Sequence, residues 1–266
     1  MVWILSVLLA HSINLIFHIL LGTDLTPATH HVLVSSYIMN GNLTLAQNHI
    51  DEHEQLISTR TFNLLMKHYS KKKSLTKVKR IFDQMGPKRV NVISYTIVIN
   101  ALSKVGGEQA ALQAESLMNQ MNPVQPNIYT YNAILNAWCK SNSRMASTKC
   151  KQVFEEMRKN NIPPDIISYT AYICASTKDD PHKALKIMNE TGLKFDMIAY
   201  FTLINSFSKV DDVQACMILI QRMVYCDGIN PDRKIIELLK TTIRKSKSLS
   251  ELAKRERLLE FRSILQ

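Results

Sequence analysis

The chain contains little glycine and proline. Only 7 Gly and 8 Pro occur among its 266 residues, and the many short strands of an all-β protein would need more turn residues than these. Hydrophobic residues make up 46% of the chain, which suffices for a sizeable core in one or two domains. The composition therefore predicts a helical protein.

Cysteine is also sparse, and the motifs of several enzyme classes are missing. The five cysteines form no Cys-x-x-Cys pair, which argues against a disulfide framework or a zinc site and favours a reducing compartment. The chain has no phosphate-binding Gly-x-x-x-x-Gly-Lys loop, no His-Glu-x-x-His and no Gly-x-Ser-x-Gly. His49 and His53 lie four residues apart, but the acidic residues around them indicate a polar helix end. We expect a binding protein, not an enzyme, without a cofactor or a metal.

Basic residues are absent from the first part of the chain and abundant later. No Lys or Arg precedes Arg60, yet 33 Lys and Arg against 22 Asp and Glu give a net charge of +11. The basic residues concentrate in Lys71–Arg80 and from Arg233 onward. Such an excess is typical of proteins that bind polyanions, although a solvated helix face can also carry it.

One stretch, "NIYTYNAILNAW" at 127–138, recurs along the chain with an aromatic anchor. Five copies begin near Thr59, Val92, Asn127, Ile166 and Met197, and their anchors Phe62, Tyr95, Tyr131, Tyr169 and Tyr200 are separated by 33, 36, 38 and 31 residues. A fainter copy from Pro27 has His30 in the place of the aromatic. Periods in this range predict a stacked-repeat protein.

The repeated stretch has the apolar spacing of a helix. Tyr131, Ile134, Leu135 and Trp138 follow the i, i+3, i+4, i+7 pattern, and most other copies repeat it. This recurrence outweighs the local β propensity of the stretch. A second helical segment, such as "STKCKQVFEEM", follows each copy. The fold class we predict is all-α: a right-handed αα-solenoid of stacked helix-turn-helix repeats with a concave surface.

The segment "VFEEMRKNNIPPDIISYT" (Val153–Thr170) resembles the pentatricopeptide repeat. The resemblance covers about Pro27 to Asp232, whereas the pattern of the tetratricopeptide repeat is absent. The predicted repeats are 27–58, 59–91, 92–127, 128–165, 166–196 and 197–232, after an apolar segment 1–26 and before a degenerate repeat with basic helices at 233–266.

The resemblance implies binding of single-stranded RNA, one base per repeat. In this family two side chains read each base: the residue after the aromatic (the first slot) and the last residue before the next repeat (the second slot). The pairs are Asn63 with Asn91, Thr96 with Asn127, Asn132 with Asp165, Thr170 with Asp196, and Phe201 with Asp232. The family's pairing rules imply the core 5′-C/U-A-U-G-3′ for the first four. Asn, Thr and Asp at these places could instead serve only as helix caps.

Two residues before each aromatic, the family places a side chain that wedges between adjacent bases. Ile93, Tyr129, Ile167 and Ile198 occupy these positions, although such residues could instead belong to the core between repeats. Nine residues after each aromatic stands a lysine: Lys71, Lys104, Lys140, Lys178 and Lys209. These lysines could contact successive phosphates, or each could offset a helix dipole near its C-terminus.

The apolar run from Ile4 to Leu21 has two interpretations. It fits a truncated preceding repeat, which we favour, and by length it could also span a membrane. It lacks the basic region of a secretory signal and the Arg-rich character of an organelle transit peptide.

The combined expectation is an RNA-binding repeat protein that acts in RNA processing, stabilisation or translation, with a recruited RNA-processing protein as a further partner. The resemblance implies a location in the mitochondrion or the plastid. The alternative is a helical-repeat scaffold that binds proteins. The polar pairs distinguish the two, because a protein-binding solenoid would not require them.

Overall fold

The computed structural model describes residues 26–265, so the apolar run Ile4–Leu21 and both of its interpretations lie outside the described residues. Fourteen α-helices and no strand occur in the described part. They are α1 (Pro27–Met39), α2 (Leu43–Glu52), α3 (Thr59–Lys71), α4 (Leu75–Arg89), α5 (Val92–Val105), α6 (Glu108–Asn119), α7 (Ile128–Lys140), α8 (Ala146–Lys159), α9 (Ile166–Ser176), α10 (Pro181–Glu190), α11 (Met197–Lys209), α12 (Val213–Gln221), α13 (Arg233–Lys245) and α14 (Glu251–Ile264). A short 3-10 turn follows α2 and a π turn follows α12.

The all-α prediction is confirmed, and the repeated stretch "NIYTYNAILNAW" lies almost entirely in helix α7. Its predicted apolar face is buried, since Tyr131, Ile134, Leu135 and Trp138 are each 0% exposed. The four equivalent residues of α3 and of α11 are buried as well. Tertiary packing of this face therefore overrides the β propensity of the stretch.

The described residues form two compact units. The first comprises residues 26–105 together with Leu112–Ala133, and the second comprises Gly106–Ala111 together with residues 134–265. Within the first unit α3 packs against α1, α4 and α5. Within the second, α11 packs against α9, α10, α12 and α13. In both units the first helix of a pair contacts its own partner and the first helices of the neighbouring pairs, as stacked repeats require.

The sequence argues against a disulfide framework, but it does not indicate the single disulfide that the described residues contain. Cys139 on α7 and Cys174 on α9 form a disulfide within the second unit, with their Cα atoms 5.8 Å apart. Their separation of 35 residues is about one repeat, so stacking brings together two positions that no short motif connects. Cys150 and Cys216 are buried free thiols, and burial raises the pKa of each to about 12.

No helix between residues 26 and 265 combines the length and the apolar character that crossing a bilayer requires.

Candidate nucleic-acid interface

The second-slot residues cap the first helix of the next repeat. In each case a side-chain oxygen accepts a hydrogen bond from the backbone N–H three residues later. The donors and distances are Ser94 to Asn91 at 3.1 Å, Thr130 to Asn127 at 3.1 Å, Ser168 to Asp165 at 2.8 Å, Ala199 to Asp196 at 3.0 Å and Ile235 to Asp232 at 2.9 Å. Capping therefore accounts for these residue types, and it fixes where each side chain stands.

Each first-slot residue is the fifth residue of its first helix, at the start of the second turn. Thr96 Oγ1 donates to Val92 O at 2.7 Å, and Thr170 Oγ1 donates to Ile166 O at 2.8 Å. Asn63 and Asn132 are 7% and 6% exposed, whereas Phe201 is 38% exposed. The helix geometry thus gives the five residues equivalent backbone positions but different access to solvent.

Two of the predicted pairs have both members close together within the first unit. Asn63 Nδ2 donates to Asn91 Oδ1 at 3.4 Å, and Thr96 and Asn127 line one groove. In the second unit Thr170 and Asp196 line another groove. Asn132 belongs to the first unit and Asp165 to the second.

The four predicted wedge residues point into solvent. Ile93, Tyr129, Ile167 and Ile198 are 56%, 71%, 52% and 65% exposed. An apolar side chain of the core between repeats would be buried, so this exposure excludes the core interpretation. Four exposed apolar side chains at equivalent helix positions can contact the faces of flat ligands.

The groove of the first unit combines all three predicted classes of residue. It has a volume of about 470 Å³. The wedge residues Ile93 and Tyr129 both line it, together with the pair Thr96 and Asn127. The lysines Lys71 and Lys104 line it as well. Apolar faces, hydrogen-bonding groups and positive charge thus meet in one concave site.

The main groove of the second unit repeats this arrangement. Its volume is about 610 Å³. The predicted site residues that line it are Ile167, Ile198, Thr170, Asp196, Lys140 and Lys178, next to the disulfide of Cys139 and Cys174. A further groove of about 520 Å³ is lined by Phe201, Lys178 and Lys209 among others. Phe201 there offers an aromatic face where the other repeats place a polar group.

Two of the five lysines hold the end of the preceding first helix. Lys104 Nζ donates to Ser70 O at 3.2 Å and to Ser70 Oγ at 3.1 Å. Lys178 Nζ donates to Cys139 O and, at 3.1 Å, to Asn142 Oδ1. Partial burial lowers the pKa of Lys178. Each of these two lysines thus offsets the dipole of the neighbouring first helix, while both side chains remain exposed at the groove.

The structure brings His30 next to His49 and His53, which lie four residues apart in the sequence. His30 Nδ1 lies 2.8 Å from His49 Nε2, and the ring of His53 lies within 5 Å of both. Burial is the main cause that lowers the pKa of His49 to about 4. No group of three or more potential ligands in residues 26–265 has an arrangement that could hold a metal ion.

Family comparisons match the same repeats. A model of the PPR repeat family matches residues 90–140 and 126–178, and a PPR repeat model matches residues 60–86. The chain thus contains pentatricopeptide repeats at residues 60–86 and 90–178. No curated protein matched this pentatricopeptide repeat chain when their sequences were compared.

Solved structures of pentatricopeptide repeat proteins share the fold. The crystal structure of PPR10 from maize is 15% identical, with a TM-score of 0.66, over 90% of this chain and 34% of that one. PPR10 in complex with an 18-nt psaJ RNA element is 15% identical, with a TM-score of 0.58, over 90% of this chain and 39% of that one. The chain thus spans between a third and two fifths of the PPR10 structures.

A shorter relative matches over a smaller region. The PPR domain of Arabidopsis thaliana protein-only RNase P 1, in complex with tRNA, is 20% identical with a TM-score of 0.50. The match covers 63% of this pentatricopeptide repeat chain and 87% of that domain.

Sequence reasoning missed one set of polar residues at this interface. The residue immediately before the anchoring aromatic is Thr61, Ser94, Thr130, Ser168 or Ala199 in the five copies, and each is 0% exposed. The signal was present, because four of the five copies have a hydroxyl at this position inside an apolar helix face.

Proposed function

We propose that the protein binds single-stranded RNA along its first helices, one base in each groove. The observation that supports this most directly is the groove of the first unit, where two exposed wedges, a polar pair and two lysines meet. These are the three kinds of group that a nucleotide needs: a face to stack on, partners for the base edge, and cations for the phosphate.

Each class of residue has a distinct role in this proposal. Ile93 and Tyr129 contact the two faces of a base, while Thr96 and Asn127 form hydrogen bonds with its edge. Lys71 and Lys104 face the phosphates. Bases in a duplex are stacked and paired, so a site that holds a base on both faces requires a single strand.

The structural relatives support the proposal through their ligands. PPR10 is solved with an RNA element and the protein-only RNase P domain with tRNA. By the pairing rules of the family, the four polar pairs read the core 5′-C/U-A-U-G-3′. The protein itself is non-catalytic and acts in a mitochondrion or a plastid, in RNA processing, stabilisation or translation, with an RNA-processing protein as its further partner.

Removing one wedge tests the proposal. Stacking on an aromatic contributes about 1–3 kcal/mol per base, so Tyr129→Ala should weaken binding of an RNA with the C-A-U-G core by roughly tenfold or more. Tyr225→Ala is the matched control, because Tyr225 is 67% exposed but lines none of the three grooves. Fluorescence anisotropy with labelled RNA, and with the same core inside a duplex, measures both variants.

Equal affinities for the wild type and the Tyr129→Ala variant would contradict base stacking in this groove. Failure of the wild type to bind the single strand, with capture of a protein partner that Tyr129→Ala abolishes, would favour a protein-binding scaffold.

A further inference from the structure

The buried residue before each anchoring aromatic connects the two slots of a base-reading pair. This residue, which we call the bridge, is Thr61, Ser94 or Thr130 in the first unit. Each bridge is 0% exposed and belongs to the helix whose cap is the second-slot residue. At all three places its hydroxyl contacts a first-slot side chain of the preceding repeat.

Ser94 bridges Asn63 and Asn91. Its hydroxyl accepts from the backbone N–H of Asn91 at 3.3 Å and donates to Asn63 Oδ1 at 2.8 Å, a shorter distance than the 3.1 Å to Asn91 Oδ1. The Asn63 carbonyl is thereby held towards Ser94, and its amide nitrogen donates to Asn91 Oδ1 at 3.4 Å. A single hydroxyl thus fixes which end of the Asn63 amide faces which partner.

Thr130 bridges Thr96 and Asn127 in the same way. Its hydroxyl accepts from the Asn127 N–H at 3.4 Å and lies 2.9 Å from Thr96 Oγ1. Thr96 already donates its only hydroxyl proton to Val92 O, so Thr130 is the donor in this contact. The single Thr130 proton is then shared between Thr96 Oγ1 at 2.9 Å and Asn127 Oδ1 at 3.2 Å. Thr96 can then only accept from a ligand, which suits an exocyclic amino group such as that of adenine.

The junction between the first two copies, 27–58 and 59–91, has the same connections with other residue types. Thr61 Oγ1 lies 3.0 Å from Ser58 Oγ, which caps the helix, and 3.0 Å from His31 Nδ1 in α1, the first helix of the preceding repeat. His31 follows the buried His30, so it occupies the first slot of the fainter copy. The connection therefore persists although both slots have changed, which indicates that it belongs to the repeat and not to one pair.

One copy in the second unit has a bridge position without a hydroxyl. Ala199 stands before Tyr200 and has no hydroxyl, so the pair Thr170 and Asp196 lacks a bridge. Asp196 still caps its helix through the Ala199 N–H at 3.0 Å. The cap is therefore independent of the bridge, and the pair differs from Thr96 and Asn127 by the missing hydroxyl as well as by Asp in place of Asn.

We propose that the bridge is a positioning residue that increases base discrimination. Its hydroxyl holds the first-slot side chain in one orientation and occupies the lone pair of that side chain that faces the bridge. This inference rests on the proposed RNA binding, because discrimination presupposes that the pair reads a base. The bridge itself is buried and touches no RNA. It acts by removing alternative orientations that would accept the wrong base equally well.

Variants of Thr130 and Ala199 test the role in opposite directions. Thr130→Val keeps the shape and removes the hydroxyl, while Thr130→Ser keeps the hydroxyl that Ser94 supplies at the equivalent place. Ala199→Ser introduces a hydroxyl where none exists. The readout is the ratio of affinities for RNAs that differ only at the base facing the altered pair. Competition binding with saturating folded protein measures this ratio. A melting curve for each variant confirms that it is folded.

The expected result is a change in ratio. Thr130→Val should lower the preference for adenine over the other three bases about fivefold, the worth of one hydrogen bond near 1 kcal/mol, and Thr130→Ser should keep the wild-type ratio. Ala199→Ser should raise the preference for guanine at the Thr170 and Asp196 pair by a similar factor. A merely structural role would lower the melting temperature and the affinity for all four RNAs equally.

Two different outcomes overturn the two proposals separately. If the wild type ranks the bases clearly but folded Thr130→Val and Ala199→Ser keep their reference ratios, the bridge does not position the pair and RNA reading stands. If the wild type binds all four RNAs equally or not at all, the proposed base reading fails and the bridge inference fails with it. Should Thr130→Val not fold, the gain expected for Ala199→Ser decides the matter alone.

Discussion

Two base-reading pairs, one in each unit, have a threonine in the first slot: Thr96 is paired with Asn127 in the first unit, and Thr170 is paired with Asp196 in the second. Thr96 and Thr170 each donate to the carbonyl four residues earlier, at 2.7 and 2.8 Å, and each lines a groove with exposed wedges. Only Thr96 has a buried hydroxyl beneath it. Helix capping alone therefore fixes the position of the second-slot side chain. Its connection to the first-slot side chain requires a separate residue, the bridge.

The largest expected effect comes from removing each cap. Asn127 Oδ1 accepts from the backbone N–H groups of Tyr129 and Thr130 and from the Thr130 hydroxyl, so Asn127→Ala removes a cap and a partner of a buried hydroxyl. We expect it to lower the free energy of unfolding by about 2–3 kcal/mol, against about 1 kcal/mol for Asp196→Ala. Urea unfolding measures both. Equal costs would show that the bridge adds nothing to the cap.

A smaller difference between the units should follow from pH. Because the folded pKa of His49 is about 4 against a usual 6.5, the neutral form is favoured in the fold. Its contribution to stability is present above pH 6.5 and is lost as the pH falls from 6.5 towards 4. His49 is only partly buried, so the effect should be modest.

Hydrogen exchange at different pH values locates this loss. Amides of α2 should exchange faster relative to those of α12 as the pH falls, since His182 is the single histidine of the second unit. The variant His49→Gln should abolish the difference. Parallel acceleration of α2 and α12 in the wild type would contradict the assignment to His49.

The smallest effect on stability is expected from the lysines, one of which caps a preceding helix in each unit. Replacing Lys104, Lys140 and Lys178 by Gln should reduce the slope of log affinity against log salt by about 2, since each phosphate contact on a single strand contributes about 0.7. Loss of the contacts to Ser70 and Cys139 should cost about 0.3–1 kcal/mol each.

The control replaces Lys151 and Lys186, which form ion pairs with Glu155 and Glu190 on the second helices. It should leave the salt slope unchanged. An unchanged slope in the triple variant would limit the lysines to their structural role.

Helix type and the buried faces could be predicted from the sequence, because an apolar face that recurs with one spacing leaves few alternatives. The predicted pairs Asn63 with Asn91 and Thr96 with Asn127 meet for the same reason, since one repeat period fixes their relative places. The exposure of Ile93 and Tyr129 could not be predicted. Apolar residues at helix starts fit a core equally well until the packing of neighbouring repeats is known.

Contacts that depend on the stacking of repeats were not predicted from the sequence. The disulfide of Cys139 and Cys174 joins two helices of adjacent repeats, and the bridge Ser94 contacts a residue 31 positions earlier. Both were hidden because each position alone looks like an ordinary core residue. A hydroxyl that recurs before the anchoring aromatic could have been found by aligning the copies column by column.

The most direct test of base reading changes Thr96 to the residue found in the first slots of two other pairs. By the family's pairing rules, Thr96→Asn converts the pair with Asn127 from adenine to cytosine, as in Asn63 with Asn91. Competition binding with four RNAs that differ only at the second base of the C-A-U-G core measures the outcome for both proteins. The wild type should prefer adenine and Thr96→Asn should prefer cytosine, with about 1–3 kcal/mol of discrimination on the scale of a good base contact. An identical ranking of the four bases by both folded proteins would contradict it.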